Sequence, residues 1–297
     1  MNLRGGARLR HSIGTKPLKI QALFDNCSVL CIVNAMNRQD AITTLIEQVQ
    51  HHPFHHLYRN HWTGHQAQGW SGGLSMYSLN SENVPNPAAH FQWLQGILNE
   101  LEQRGDQVEQ RVEVANQMMA WGGMRLVVQN EGPTLEKLHQ VIQKARDWAL
   151  PVNAPMNSSW TKVAAVFGYH QGNTIWDSRV STAVCFRLAQ IFEAAGDPPE
   201  HARGQFPGLG FIMGRSQRVV QRMPLVRHYW PNAYQKWDGH IAGANLMREI
   251  AEQLNLLEVP CPPYGPEDDE NHVGNGSWTA WKVNMLFFAD DLVPQPA

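Results

Sequence analysis

Apolar residues recur every three or four positions along most of this chain, which is the spacing of helices with one buried face. Such stripes run through the segments 40–50, 91–101, 107–119, 135–145, 161–167, 180–195, 241–254 and 278–288. Thr134 is a candidate N-cap for the fourth of these helices. Short strands are expected only at 20–23 and 126–129. The pattern therefore predicts a mainly α fold with a small β element.

The segment 51–87 interrupts the helical pattern because it is polar and rich in glycine and histidine. It is longer than an ordinary connection, so we expect a functional or flexible loop within an N-terminal region 1–90. Six histidines lie in it: His51, His52, His55, His56, His61 and His65. Histidines four residues apart could bind a metal from one helical face, but Pro53 interrupts any helix there and no zinc motif accompanies them. We predict no bound metal and interpret the stretch as a DNA-facing loop or simply a surface loop.

Two polar residues stand at the starts of neighbouring helices. Lys162 opens the apolar segment 161–167, and Asp177 immediately precedes the stripe that begins at Val180. Aspartate is a preferred N-cap and the helix dipole favours its charge, so the simplest interpretation makes Asp177 a cap and Lys162 a solvated surface residue. A cap at the floor of a cleft is also a fixed carboxylate, and one pocket could receive both groups.

This pattern of lysine, short apolar helix, turn and aspartate resembles the catalytic segment of the helix-hairpin-helix DNA glycosylase superfamily. The segment 161–164 (TKVA) resembles the lysine turn of the 8-oxoguanine glycosylase branch. The segment 175–180 (IWDSRV) is similar to the aspartate segment of a divergent bacterial group with that fold, some of whose members act in antiviral defence. The resemblance covers residues 157–195. The family's glycine-containing hairpin is replaced by 154–160 (APMNSSW), and the spacing from lysine to aspartate is shorter.

The resemblance implies a glycosylase-like helical catalytic region over 91–297, which together with 1–90 could form one compact unit. It implies a DNA glycosylase that releases an extruded modified base, such as glucosylated hydroxymethylcytosine of bacteriophage DNA, and leaves an abasic site. Asp177 would stabilise positive charge on the deoxyribose. Lys162 would be the second catalytic residue and would give lyase activity if it attacked the sugar. The altered hairpin favours water as the nucleophile, and hence a monofunctional enzyme.

Phosphate contacts are expected around the same segment. Asn157, Ser158 and Ser159 can cap the helix that follows and leave backbone N–H groups for a phosphate. Arg179 could bind a phosphate or form a salt bridge. Although the net charge is -2, residues 201–237 carry no acid, so Arg215 and Arg218 could form part of a basic face. Double-stranded DNA is the partner that these positions indicate.

Aromatic residues are needed to receive an extruded base. The chain has 11 tryptophans, most of which we expect in the core, and Trp121, Phe211 and Trp237 are the candidates for a base pocket. No cofactor is expected, because the closely spaced cysteine cluster of an iron–sulfur centre is missing from the sequence. A sequence without a membrane-spanning run or signal peptide predicts a soluble, cytoplasmic protein, expected to be a monomer.

Two alternatives come from other functional classes. A non-catalytic DNA-binding protein could keep the fold, the basic face and Asp177 as a cap. A metal-dependent hydrolase could use the histidine-rich loop, in which case a chelator would abolish its activity.

Overall fold

Eleven α-helices and one two-stranded antiparallel sheet make up the regular structure of the computed structural model, in residues 35–58, 61–77, 87–213, 223–264 and 276–290. These are the residues that the structure describes, and the side chains of 55–58 and 61–63 are not among them. The expected mainly α fold with a small β element is thereby confirmed. Across these ranges, no helix combines the length and the apolar character that crossing a membrane would need.

The elements follow one another along the chain in a simple order. They are α1 (Arg38–Gln50), β1 (Pro53–Tyr58), β2 (His61–Gln68), α2 (Gly69–Ser75), α3 (Pro87–Arg104), α4 (Val108–Trp121), α5 (Pro133–Arg146), α6 (Trp160–Phe167), a 3₁₀ turn (Tyr169–Gln171), α7 (Ser178–Ala194), α8 (Pro199–Gln205), α9 (Pro224–Tyr229), α10 (Trp237–Leu256) and α11 (Ala280–Ala289). Residues 35–297 cluster as one compact unit. Helix α1 packs against α7 and α10, and α2 packs against α11, so elements on both sides of residue 90 share one core.

The histidine-rich segment contains a hairpin, so the expectation of an irregular loop is wrong for residues 53–68. Strands β1 and β2 pair from Pro53 with Gln68 to Tyr58 with His61. Phe54 is buried at the base of the hairpin, where Gly73 of α2 lies against its ring so closely that a Cβ would overlap it. Histidine has no strong preference for strands, so the residue types in this segment do not indicate a hairpin. Tertiary packing stabilises the hairpin instead.

The strand expected at 126–129 does not form, because a side chain takes the place of a partner strand. The amide of Asn116 on α4 accepts a hydrogen bond from the backbone N–H of Val128 (2.7 Å) and donates one to its carbonyl (3.0 Å). Both backbone groups of Val128 are thus satisfied without a sheet. The strand expected at 20–23 lies outside the described residues.

Thr134 does not cap α5. The helix starts after Gly132, whose φ of 75° suits glycine, and Pro133 occupies its first turn. The Thr134 hydroxyl instead accepts a hydrogen bond of 3.0 Å from the backbone N–H of Gln129. It therefore fixes the preceding turn and leaves the helix N-terminus without a side-chain cap.

Helix α6 lies in the core of residues 35–297. All eight of its residues are buried, and it packs against α4 and α5. A helix that is apolar on every face is typical of such a position. Lys162 belongs to this helix, and a charged group inside a core requires a polar partner within the protein.

Candidate active site

Asp177 is the N-cap of α7, as its place before the apolar stripe predicts. Its Oδ1 accepts hydrogen bonds from the backbone N–H groups of Arg179 (3.0 Å) and Val180 (3.3 Å). The residue is only 7% exposed. The positive end of the α7 dipole also favours its negative charge. The carboxylate is therefore held in one orientation, with Oδ2 directed elsewhere.

Lys162 occupies the other side of that carboxylate. Its Nζ lies 3.3 Å from Asp177 Oδ2 and donates a hydrogen bond of 2.8 Å to the carbonyl of Ser158. Both side chains of the pair are almost excluded from solvent. The two candidate catalytic residues are thus in direct contact. The interpretation of Lys162 as a solvated surface residue is wrong.

A buried hydrogen bond beside the pair joins the two segments that carry it. The backbone N–H of Trp176 donates to the Thr161 hydroxyl at 2.8 Å. The same hydroxyl lies 2.9 Å from Nδ1 of His240 on α10. The other ring nitrogen of His240 faces an amide oxygen, which can only accept, so Nδ1 of the neutral ring accepts the proton of the Thr161 hydroxyl.

His240 continues this network into α5. Its Nε2 lies 3.1 Å from Oδ1 of Asn173, whose Nδ2 donates to the carbonyls of Ala145 (2.8 Å) and Gly168 (3.1 Å). Burial lowers the pKa of His240 to about 4, so the ring is neutral at physiological pH. With Nδ1 accepting from Thr161, the proton sits on Nε2 and is donated to Asn173. Every polar group of this chain of bonds has a partner.

Two glycines allow neighbouring helices to approach the pair. A Cβ on Gly122, which follows α4, would overlap the Cδ and Cε atoms of Lys162. A Cβ on Gly243 of α10 would overlap the indole of Trp176. The backbone at the end of α4 therefore lies directly on the lysine stem, and α10 lies directly on the residue before Asp177.

A small cavity lies beside the segment that leads to Asp177, since Ile175 is part of its lining. Its volume is about 10 Å³, and it is lined by Tyr77, His90, Trp121, Ile175, Trp281, Asn284, Met285 and Phe288. Asn284 Nδ2 donates a 2.6 Å hydrogen bond to the carbonyl of Ile175, two residues before Asp177. Aromatic rings thus form most of the wall.

Electrostatic and ring contacts link this cavity to Asp177. Burial and then the Asp177 carboxylate raise the pKa of Tyr77 well above its usual value, while Arg179 lowers it. The exposed guanidinium of Arg179 lies 4.9 Å from the centre of the Phe288 ring. Two residues of the cavity wall, Tyr77 and Phe288, thus interact with Asp177 and with Arg179, respectively.

Of the candidate base-pocket residues, only Trp121 lines this cavity, and its indole stacks on Trp93 at 5.5 Å and 17°. Phe211 lies elsewhere, with its backbone N–H bonded to Pro231. Trp237 donates its indole N–H to the carbonyl of Ala154 at 2.9 Å. Sequence reasoning missed His90, although it stands four residues before Leu94 on the apolar stripe of α3.

Some of the groups that are expected to bind phosphate already form hydrogen bonds within the protein. Oδ1 of Asn157 accepts from the backbone N–H groups of Ser159 (2.9 Å) and Trp160 (3.1 Å), so Asn157 caps the start of α6 and uses these two donors. The Ser159 hydroxyl contacts the sulfur of Met124. Ser158 contributes its carbonyl to Lys162. The exposed Arg179 stands beside the pair, whereas Arg215 and Arg218 lie outside the described residues.

The histidine hairpin provides no metal site within the part of the chain that the structure describes. No group of three histidine, cysteine or acidic side chains there could hold an ion. His52 Nε2 lies 3.5 Å from Asp290, which pairs with Arg187 at 2.6 Å. The side chains of His55, His56 and His61 lie outside that part.

Comparisons with family models, with curated proteins and with solved structures gave no match to this chain.

Proposed function

We propose that this protein is a DNA glycosylase that cleaves the N-glycosidic bond of an extruded modified base and leaves an abasic site. The observation that carries the proposal is the buried contact of 3.3 Å between Lys162 and Asp177 beside an aromatic cavity. A fixed carboxylate near a cavity with aromatic walls, which can open to receive a planar ring, is the arrangement that this reaction needs.

The chemistry depends on the charge of Asp177. As the bond from C1′ to the base breaks, its electron pair leaves with the base and positive charge develops on the deoxyribose. A carboxylate that is already oriented stabilises this charge more than it stabilises the neutral substrate, which is the condition for catalysis. Water then bonds to C1′ and gives a proton to Asp177. That proton balances the one that the departing base takes up.

Lys162 acts in this scheme as an electrostatic and positioning residue. An amine attacks carbon only through a lone pair, and the ammonium of Lys162 is held by Asp177 Oδ2 and the Ser158 carbonyl. Water is the better placed nucleophile. We therefore propose a monofunctional enzyme with no lyase step.

The DNA partner is double-stranded, and a modified base of bacteriophage DNA is the proposed target. In this proposal α5, the connection 147–159 and α6 correspond to the helix-hairpin-helix element. Arg179 contacts a phosphate beside the extruded nucleotide, since its exposed guanidinium adjoins the cavity wall at Phe288. Arg215 and Arg218 add sequence-independent affinity. The protein acts as a cytoplasmic monomer without a cofactor.

The test is release of bases from normal, oxidised and phage-modified DNA in the presence of a chelator, followed by mass spectrometry. Asp177→Asn should lower the rate about 100-fold or more, as removal of one preorganised electrostatic group typically does. Asparagine preserves the cap, so α7 should remain intact. Folding is checked by thermal unfolding, because Lys162 loses its charged partner in this variant.

The matched control is Asp40→Asn, which makes the same charge change at an exposed residue of α1. It should release bases at the rate of the unmodified protein. Failure of every DNA to yield a base would contradict the proposal and leave a non-catalytic DNA-binding protein. Activity that requires a metal would favour the hydrolase.

A further inference from the structure

Two polar atoms in the wall of the aromatic cavity have no hydrogen-bond partner in the described part of the protein. They are Nδ1 of His90 and Nε1 of Trp121, and both are buried. Both residues line the cavity. A buried polar atom without a partner costs free energy, so each marks a place where a ligand could supply the missing bond.

Both atoms are donors. The indole N–H of Trp281 donates to Nε2 of His90 at 3.1 Å, so Nε2 acts as the acceptor. Burial lowers the pKa of His90 to about 3, and the ring is therefore neutral. Its single proton must sit on Nδ1. The indole nitrogen of Trp121 can only donate.

The remaining wall suits a planar ring. The His90 ring stacks on Trp281 at 6.3 Å and 24°, and it meets Tyr77 edge-on at 5.3 Å. Flat aromatic surfaces bind a heterocycle through its faces, which leaves its edge to be read by hydrogen bonds.

We propose that this cavity is the base pocket and that His90 and Trp121 select a base edge with two neighbouring acceptors; the assignment rests on the proposed function. Guanine presents such an edge at O6 and N7, and cytosine presents one at O2 and N3. Thymine places its N3–H donor beside both O2 and O4, and adenine places its N6 amino donor beside N1 and N7. 8-Oxoguanine carries a proton on N7 and is excluded in the same way.

The pocket has to widen when a base enters. A cavity of about 10 Å³ has room for about one water molecule and is far too small for a base. The outer wall is the part that can move, because Trp121 and Phe288 are only half-buried. Trp121 is also the last residue of α4 and is followed by Gly122 and Gly123.

The test is saturation-transfer NMR with free nucleosides and the full-length protein, both unmodified and as Asp177→Asn. The probes are 2′-deoxyguanosine, 2′-deoxycytidine, 2′-deoxyadenosine, thymidine and 7-deaza-2′-deoxyguanosine. We expect deoxyguanosine or deoxycytidine to bind about tenfold more tightly than the last three, as the loss of a buried hydrogen bond predicts. Which of the two binds distinguishes the two acceptor edges.

Three variants assign the donors. His90→Gln keeps an acceptor for Trp281 but removes the donor at the Nδ1 position, whereas His90→Asn keeps a donor there. Trp121→Phe keeps an aromatic wall without its N–H. His90→Gln and Trp121→Phe should each weaken binding of the preferred nucleoside about tenfold, and His90→Asn should weaken it less.

Binding and excision are measured separately, so the two proposals fail independently. Selective binding that is preserved in Asp177→Asn supports the pocket even if no base is released. Equal binding of all five nucleosides, binding of none, or unchanged binding in Trp121→Phe would overturn the pocket assignment. Trp121 is half-buried, so its variant remains informative if substitution of His90 prevents folding.

Discussion

The backbone N–H of Trp176 donates a hydrogen bond of 2.8 Å to the hydroxyl of Thr161, and both residues are buried. Thr161 precedes Lys162, and Trp176 precedes Asp177. This bond thus joins the two segments that carry the ion pair, and each of its residues is the direct neighbour of one member of the pair. The relative position of Lys162 and Asp177 depends on this bond and on the network through His240 that orients it.

Removal of the Thr161 hydroxyl should disturb both stability and the proposed reaction. Thr161→Val leaves the Trp176 N–H and His240 Nδ1 without partners, so the free energy of unfolding should fall by about 2 kcal/mol or more. Base release should slow as well. Thr161→Ser is the control because it keeps the hydroxyl and should remain near normal in rate. The stability of both variants is measured by chemical denaturation, and their activity by base release. Equal stability and equal rates in the two variants would contradict the role of the bond between Thr161 and Trp176 in positioning the ion pair.

Gly122→Ala should affect activity more than stability. The added methyl group would overlap the stem of Lys162, which is flexible enough to move away and so to lose its contact with Asp177. We expect base release to fall about tenfold or more with a small change in melting temperature. Gly96→Ala provides the comparison, since nothing lies within 4 Å of a Cβ at that position on α3. A Gly122→Ala protein with normal activity would show that the lysine position is unimportant.

Borohydride should trap little or no covalent adduct with DNA that contains the target base. A lysine that attacks the sugar forms a Schiff base, which borohydride reduces to a stable bond, whereas water as the nucleophile leaves nothing to reduce. The measurement is denaturing electrophoresis of labelled DNA. Strong trapping that disappears in Lys162→Met would make Lys162 the nucleophile and the protein a lyase. Loss of base release in Lys162→Met without trapping fits the positioning role.

Stability should fall in mild acid because of His240. Its pKa is about 4 in the folded protein and about 6.5 when unfolded, so the unfolded chain binds more protons between these values. The contribution of neutral His240 to the stability of the folded protein is therefore complete above pH 6.5, and it is lost as the pH falls toward 4. The free energy of unfolding should decrease by about 1.4 kcal/mol per pH unit from this residue.

Denaturation of His240→Gln across the same pH range checks this slope. Glutamine keeps a donor for Asn173 but does not titrate, so the dependence on pH should be shallower by about one proton. The control is His170→Gln, at an exposed position. An unchanged slope in His240→Gln would mean that the buried ring does not resist protonation.

The two residues of the ion pair could be picked out from the sequence because each stands in a recognisable local pattern. Asp177 stands where the apolar stripe of α7 begins, and Lys162 interrupts a segment that is otherwise apolar on all sides. Periodicity indicates both helix starts, and the cap at Asp177 follows from them. The burial of Lys162 does not follow, since a lysine in a first turn is usually solvated. The direct contact between the two side chains is a tertiary fact, which the sequence suggests only through the resemblance of its segments.

The cavity, by contrast, could not be predicted from the sequence. Its wall combines Tyr77, Trp121 at the end of α4, Ile175 before α7, and Trp281 on α11 with His90. These residues are separated by up to 204 positions in the chain, and no local pattern brings them together. For Phe211 and Trp237 the sequence offers only the residue type, which does not distinguish a pocket wall from a core.

The two oxygens of Asp177 serve different structures, since Oδ1 holds the first turn of α7 and Oδ2 meets Lys162. A substitution by asparagine or serine removes the charge but keeps a cap. Homologous chains that have lost the proposed activity should therefore drift toward these residues at position 177, and away from alanine or leucine. A relative with aspartate at position 177 but no lysine at position 162 would keep the helix cap and lack the proposed activity. Both positions are therefore needed to decide whether a relative has the proposed activity.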